Sequence, residues 1–405
     1  MQKFYRDTFR NSEDNTENKA IRLSSCLKLI ENSEYKDELT GLLNFNLISN
    51  EYLAISGIQH IVTSVIARDE VFVKKDIDCQ ISDVSFQPAS EENMINIHFE
   101  NIENYKKTSL TAHAIYNTKR DYFDWFYKLD KFANFCISEK HIQLLIDNIS
   151  RLNDNYKSKG DLKKSFRLLL DRDGEYYVRA ITSTNKYYDY NIRFSLFVTI
   201  IALFKLNKEN GINFKLIYCE YDESFIRIYF EKIGSTVIPN VGKLNFILEM
   251  SNDEIKREAF RFSSLISLSN NSRTEKFEVE LKPRKIRTDI ISIRHDFLPS
   301  TIIGYIARLS SYIHDAEKDM INDITELSKV SNPDHLRYTL LRNFERSHNQ
   351  ALEPFKQKIN NILNVRIKRV SELLLLMDKV DKIITDLELK EYIRYIYYDI
   401  IKPKK

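Results

Sequence analysis

Apolar and polar positions follow two rhythms along this chain, and their alternation separates helical from extended stretches. Within 18–70, Ala20, Leu23, Leu27 and Ile30 recur at spacings of three and four, which makes one apolar stripe. Ala54, Ile58, Ile61 and Val65 repeat the spacing after Asn50 and predict a second helix. Between 71 and 100 the period drops to two. VFVKKDIDCQISDVSFQ and INIHFE read as strands joined by a polar segment carrying Pro88. Residues 118–156 turn helical again, with Trp125, Phe126 and Leu129 on one face, then Ile142, Leu145, Ile146 and Ile149. The polar stretch 153–160, closed by Gly160, reads as a linker.

Residues 164–182 predict a hairpin, SFRLLL and EYYVRAIT flanking Asp171-Arg172-Asp173-Gly174. A helix follows over 190–206, buried on most sides and closed by Asn210-Gly211. Strands are expected at 213–219, at 224–231 and in KLNFILEM, which ends near Met250. Ser251 and Glu254 have the spacing of a capping box, which predicts a helix there. Alternation returns in FEVEL and IRTDIISIR, and Pro299 breaks the chain. From 301 onward the pattern is helical, restarted by Asn332-Pro333 and interrupted at most near Pro354 and 381–389. Leu336, Leu340, Phe344, Leu352, Phe355, Ile359 and Ile362 keep helical spacing. The expected fold is α+β: a mixed or antiparallel sheet with packed helices, then a C-terminal α-helical hairpin or bundle. Three regions are expected: α+β over 1–157, α+β over 158–299, and helical over 300–405.

Composition narrows the function classes. The 405 residues are 43% hydrophobic and 29% charged, which is globular and rules out collagen-like or wholly disordered chains. Residues 1–100 carry 10 basic and 17 acidic side chains, and 101–405 carry 51 and 41, so positive charge lies in the later part. The eight glycines make neither GxGxxG nor GxxxxGK[ST], which disfavours a phosphate-cradling nucleotide loop. Cys26, Cys79, Cys136 and Cys219 are scattered outside any CxxC spacing and read as buried thiols of a reducing cytosol. The polar first residues hold no signal peptide. The apolar run at 194–204 is too short to cross a bilayer. A cytoplasmic protein that needs neither membrane, metal nor cofactor is expected.

Candidate chemistry lies in four places. Lys282, Arg284, Lys285 and Arg287, with Arg294 behind them, put cations in an extended segment and could meet phosphates; the bland alternative is a charged edge strand. Arg366, Lys368 and Arg369 form a second group inside the long helical pattern, where a solvated face is the alternative. Tyr187 and Tyr188, interleaved with Arg179, Lys186 and Arg193, suit stacking on bases, although tyrosine is also a favoured strand residue. Glu280-Leu281-Lys282 has the ExK form of metal-dependent nucleases without an upstream Pro-Asp. The histidines show no HExxH, and Asp171–Glu175 reads as a structural turn.

Three fragments carry a family resemblance. Arg179-Ala180-Ile181-Thr182-Ser183 is followed by Tyr187 or Tyr188 and by Asp189 and Asn191; then come Ser251-Asn252-Asp253-Glu254 and Arg294-His295. Their order over 165–296 resembles the phage/plasmid-like family of unknown function, whose Cys-x-Asn-Gly has its nearest counterpart here in Asn270-Asn271. The resemblance implies a gene of a phage, plasmid or defence island and brings no established chemistry. The leading expectation is a non-enzymatic nucleic-acid-binding protein, with DNA or RNA as partner. The alternatives are an interaction subunit, a homo-oligomer or protein partner pairing through 300–405, and a divergent metal-dependent nuclease.

Overall fold

A computed structural model describes residues 4–11, 20–89, 95–115, 122–124, 126–158, 162–184, 188, 190–255, 259–272, 276–284, 291–298 and 300–402. Two sheets organise it. The smaller is built from β4 (Val73–Gln80), β5 (Val84–Pro88), β6 (Ile95–Phe99), β7 (Leu110–Ala114), β8 (Lys163–Leu170) and β9 (Tyr176–Thr182). Its order is β4-β8-β9-β7-β6-β5, with β7 and β9 parallel and the other pairs antiparallel. Helices α4 (Phe132–Ser138) and α5 (Ile142–Ser158) close its core, where the Phe99 and Phe166 rings meet at 4.7 Å. The predicted hairpin is there: Asp171 accepts from the backbone N–H of Asp173 and Glu175, and Gly174 takes φ +87°.

The larger sheet has eight strands. β1 (Asp7–Arg10), β10 (Phe214–Tyr221), β11 (Phe225–Lys232), β13 (Gly242–Asp253), β14 (Phe260–Asn271) and β15 (Lys276–Leu281) lie side by side, all antiparallel. β12 (Thr236–Ile238) pairs with β13, and β16 (Ile291–Ile293) with β14. Its apolar face is covered by α3 (Ile58–Asp69), α6 (Ile192–Asn210) and α7 (Thr301–Leu327). α6 is apolar all round and correspondingly buried; Asn191 caps it by accepting from the Phe194 N–H, and Gly211 ends it at φ +66°. Short elements complete the N-terminal part: β2 (Ile21–Arg22), β3 (Tyr52–Leu53), α1 (Lys36–Leu42) and α2 (Phe45–Ile48). The stripe at Leu23 and Leu27 forms a 3-10 helix, Leu23–Leu29, and no α-helix.

The class is α+β with a closing run of helices, as the pattern predicted: α8 (Pro333–Glu345), α9 (Lys356–Leu363), α10 (Val370–Ile383) and α11 (Leu387–Ile401) follow α7. The region boundaries differ. β4 pairs along its whole length with β8, so no region boundary separates them, and residues 153–158 of the polar stretch complete α5. Residues 21–65 and 190–401 share one core, and 73–182 is an insertion with its own. α7–α11 bury their apolar stripes in that shared core and do not stand apart as a bundle. Among the described residues, no helix is long and apolar enough to cross a membrane.

Two local expectations also change. Ser251 does not cap a helix; it continues β13, because Glu254 finds partners elsewhere in the fold. The long helical pattern breaks at 364–369, so Arg366, Lys368 and Arg369 lie in a loop. Arg337 donates to the Leu363 carbonyl at 2.6 Å and Asp334 accepts from the Ile367 N–H at 3.1 Å, which fixes the two sides of that break.

Candidate functional site

The residues named from the sequence divide by burial. Lys282 is only 2% exposed, since α11 lies against the end of β15. Its ammonium donates to Glu249 and, at 2.6 Å, to Glu391. Arg227 and Ser263 also hold Glu249, at 3.2 and 3.0 Å, while Arg394 pairs with Glu280. Burial works against the charge on Lys282, but Glu249 and Glu391 outweigh it and raise its pKa. This cation is therefore neutralised inside the protein and does not meet phosphates. Glu280 and Lys282 do share a face with the upstream Glu249, yet each carboxylate is tied to a cation. Among the described residues no set of three ligating side chains could hold a metal ion.

Arg179 is likewise internal. Its Nη1 donates to Glu254 at 2.5 Å and to Ser224 at 2.9 Å. Glu254 also accepts from Lys74 at 2.7 Å and from the Ile192 N–H at 2.8 Å, and Arg167 donates to its carbonyl at 2.7 Å. Burial would push the Glu254 carboxyl up; Lys74, Arg179 and Arg167 hold it well below the usual carboxylate range. Asn252 donates to the Tyr190 carbonyl at 2.6 Å, and the Tyr188 N–H donates to the His295 carbonyl at 2.6 Å. The three fragments behind the family resemblance thus meet at the junction of the two sheets. Tyr188 is half-buried, with the Tyr35 ring set edge-on to it at 6.4 Å. Tyr187, Lys285 and Arg287 lie outside the described residues.

The remaining cations face solvent. Arg284 pairs with Asp399 at 2.9 Å, and Arg294 pairs with Asp296. Arg366, Lys368 and Arg369 stand at the head of α10, where a cleft of about 500 Å³ opens. Lys368, Arg369, Val370 and Ser371 form one wall. The β12–β13 turn, with Asn240 and Gly242, lines it as well, as do Asn270, Ser328 and Pro333. The turn depends on glycine: Gly242 has φ +133°, and a Cβ there would lie 2.5 Å from the Ser269 carbonyl oxygen.

No family model matches the chain, and neither do the curated proteins or the solved structures searched. Its function must be argued from this geometry.

Glu372 folds back at the start of α10, accepting from the N–H groups of Lys368 and Arg369 at 2.6 and 3.1 Å and pairing with the Arg369 guanidinium. The first-turn N–H groups of Val370 and Ser371 have no intrahelical acceptor. They stand on the cleft wall with Lys368 and Arg369, and that set favours an anion. Lys243 and Lys276 are exposed at the same end of the sheet, on strands flanking Ser269 and Asn271. Among the described residues, Glu278 and Glu326 are also exposed. Ser371 and Asn240 were not foreseen from the sequence, and Asn270 was named only for the family resemblance. The Arg-Ile-Lys-Arg run was the only local signal, and it marks the break rather than a helix face.

Proposed function

We propose that the protein binds nucleic acid without altering it chemically, through the basic end of the molecule at the head of α10. The observation that carries this reading is the cleft itself: Lys368, Arg369 and the start of α10 share one wall, with Arg366, Lys243 and Lys276 nearby. Cations clustered beside the first-turn N–H groups of a helix suit phosphate groups. The family resemblance adds the setting, a mobile element or a defence system against phage. Four buried cysteines, none of them in a disulfide among the described residues, agree with a reducing cytoplasm. The apolar stripes of α7–α11 are consumed within the chain's own core, so they do not favour the interaction reading.

Fluorescence anisotropy with labelled single- and double-stranded DNA and RNA, over a salt series, tests this. Affinity should fall steeply with salt and should weaken when Arg366, Lys368 and Arg369 are changed to Ala. Absence of binding at low salt overturns the reading.

A further inference from the structure

We infer that the partner is a single-stranded nucleic acid laid along the exposed side of α8, with Tyr338 as the platform on which a base stacks. This rests on the reading that the basic end binds nucleic acid, and it names the form of that partner and its path.

The first ground is where the charge sits. Residues 333–369 run through α8, the 3-10 turn Gln350–Phe355, α9 and the break before α10. They carry eight Lys and Arg against three Asp and Glu, a balance of +5 where the whole chain has +3. All three acids are committed within the segment: Asp334 to Arg337 at 2.7 Å, Glu345 to Arg342 at 3.6 Å and Glu353 to Lys356 at 2.5 Å. Arg346, Lys358, Arg366 and Lys368 are exposed and have no ion-pair partner among the described residues. That surplus complements a polyanion.

The second ground is the ring. Tyr338 is 49% exposed, more than any other aromatic side chain of residues 300–402. The Arg342 guanidinium lies 5.8 Å from its centroid. An open ring beside a cation takes a base by stacking and its phosphate by charge. Bases within a duplex are stacked on one another and are closed to such a ring, so the pairing favours an unpaired strand.

The third ground is alignment. Tyr338, Arg342 and Arg346 recur every four residues, which puts them on one side of the helix about 6 Å apart along its axis. At the start of α8, Asp334 accepts from the Ile367 N–H at 3.1 Å and Arg337 donates to the Leu363 carbonyl at 2.6 Å. Arg366 and Lys368 therefore stand beside the first turn of α8, and the row continues the basic end already described.

The test is fluorescence anisotropy of the full chain with a labelled single strand and the matching duplex, with polyphosphate as a competitor that has charge and no bases. The single strand should bind about tenfold tighter than the duplex. Tyr338→Ala should weaken single-strand binding about tenfold and leave the salt slope unchanged, while Tyr338→Phe, which keeps the ring, should bind as the wild type does. Arg346→Ala should lower the salt slope by about one. Thermal unfolding confirms that the variants fold. Single-strand affinity unchanged in Tyr338→Ala, or a duplex bound more tightly than the strand, overturns the inference; if Lys368→Ala still weakens binding, the nucleic-acid reading survives. An Arg346→Ala protein that melts earlier but binds with an unchanged salt slope assigns that cation to the end of the helix and overturns the path. Polyphosphate bound as tightly as the strand overturns the stacking role. No binding of any nucleic acid overturns both readings.

Discussion

Arg179 belongs to the six-stranded sheet and Glu254 to the chain leaving the eight-stranded one, yet their side chains meet at 2.5 Å with neither reachable by solvent. Lys74, from the first strand of the insertion, completes the same pair at 2.7 Å. One carboxylate thus anchors the insertion to the main body at two strands.

Removing that carboxylate leaves the buried Arg179 without its ionic partner, while Lys74 keeps Asp69 at 2.5 Å. Glu254→Ala should destabilise the protein by about 3–5 kcal/mol. Urea unfolding would show it as a lower midpoint. A midpoint unchanged within error would mean that the junction adds nothing.

Acid should act through the same group. The folded-state pKa of Glu254 is held below its ordinary value of 4.5, so the stability it contributes is present above pH 4.5 and is lost as pH falls below it. Glu280 has the opposite sign, because burial raises its pKa above 4.5; protonating it as pH falls towards 4.5 favours the fold. Stability curves against pH should therefore flatten below 4.5 in Glu254→Gln. In Glu280→Gln the gain on approaching 4.5 from above should vanish.

Charge removal should separate the two exposed basic groups. Arg366→Ala and Lys368→Ala should each weaken nucleic-acid binding and lower the salt slope by about one, while Arg369→Ala, whose guanidinium already pairs with Glu372, should do less. Arg284→Ala and Arg294→Ala remove cations already paired with Asp399 and Asp296, and should change affinity by about twofold or less. The reverse ranking would move the interface to the β15 side.

The cleft wall has its own vulnerable position. Gly242→Ala forces a Cβ against the Ser269 carbonyl in a backbone conformation that alanine avoids. A loss of about 1–3 kcal/mol is expected by thermal unfolding. Binding should weaken too, because the β12–β13 turn forms one side of the site.

Much of the architecture could be read from local pattern. The hairpin at β8–β9, the all-round apolar α6 and the closing helices depend on periodicity and on caps that sit beside them in sequence. Burial of Lys282 and Arg179 could not be read that way. A cation on a strand looks the same whether it meets water or a distant carboxylate, and Glu391 lies 109 residues from Lys282. The break at 364–369 contains neither glycine nor proline, the usual markers. It is made by Asp334 and Arg337, which grip the chain from a neighbouring helix. The cleft was invisible for the same reason, since its lining comes from the β12–β13 turn, β14 and the head of α10.

The position of β1 bears on how the chain is made. Asp7 pairs with Tyr221, and Asn11 donates to the Leu216 carbonyl, 205 residues further on. On the ribosome β1 emerges long before β10, the strand it pairs with. The insertion, complete by Thr182, can close its own sheet while β10 is still untranslated. The start of the chain must wait through that interval with its edge unpaired. Synthesis thus leaves the N-terminal strand open to chaperones or to mispairing for longer than any other strand of the larger sheet.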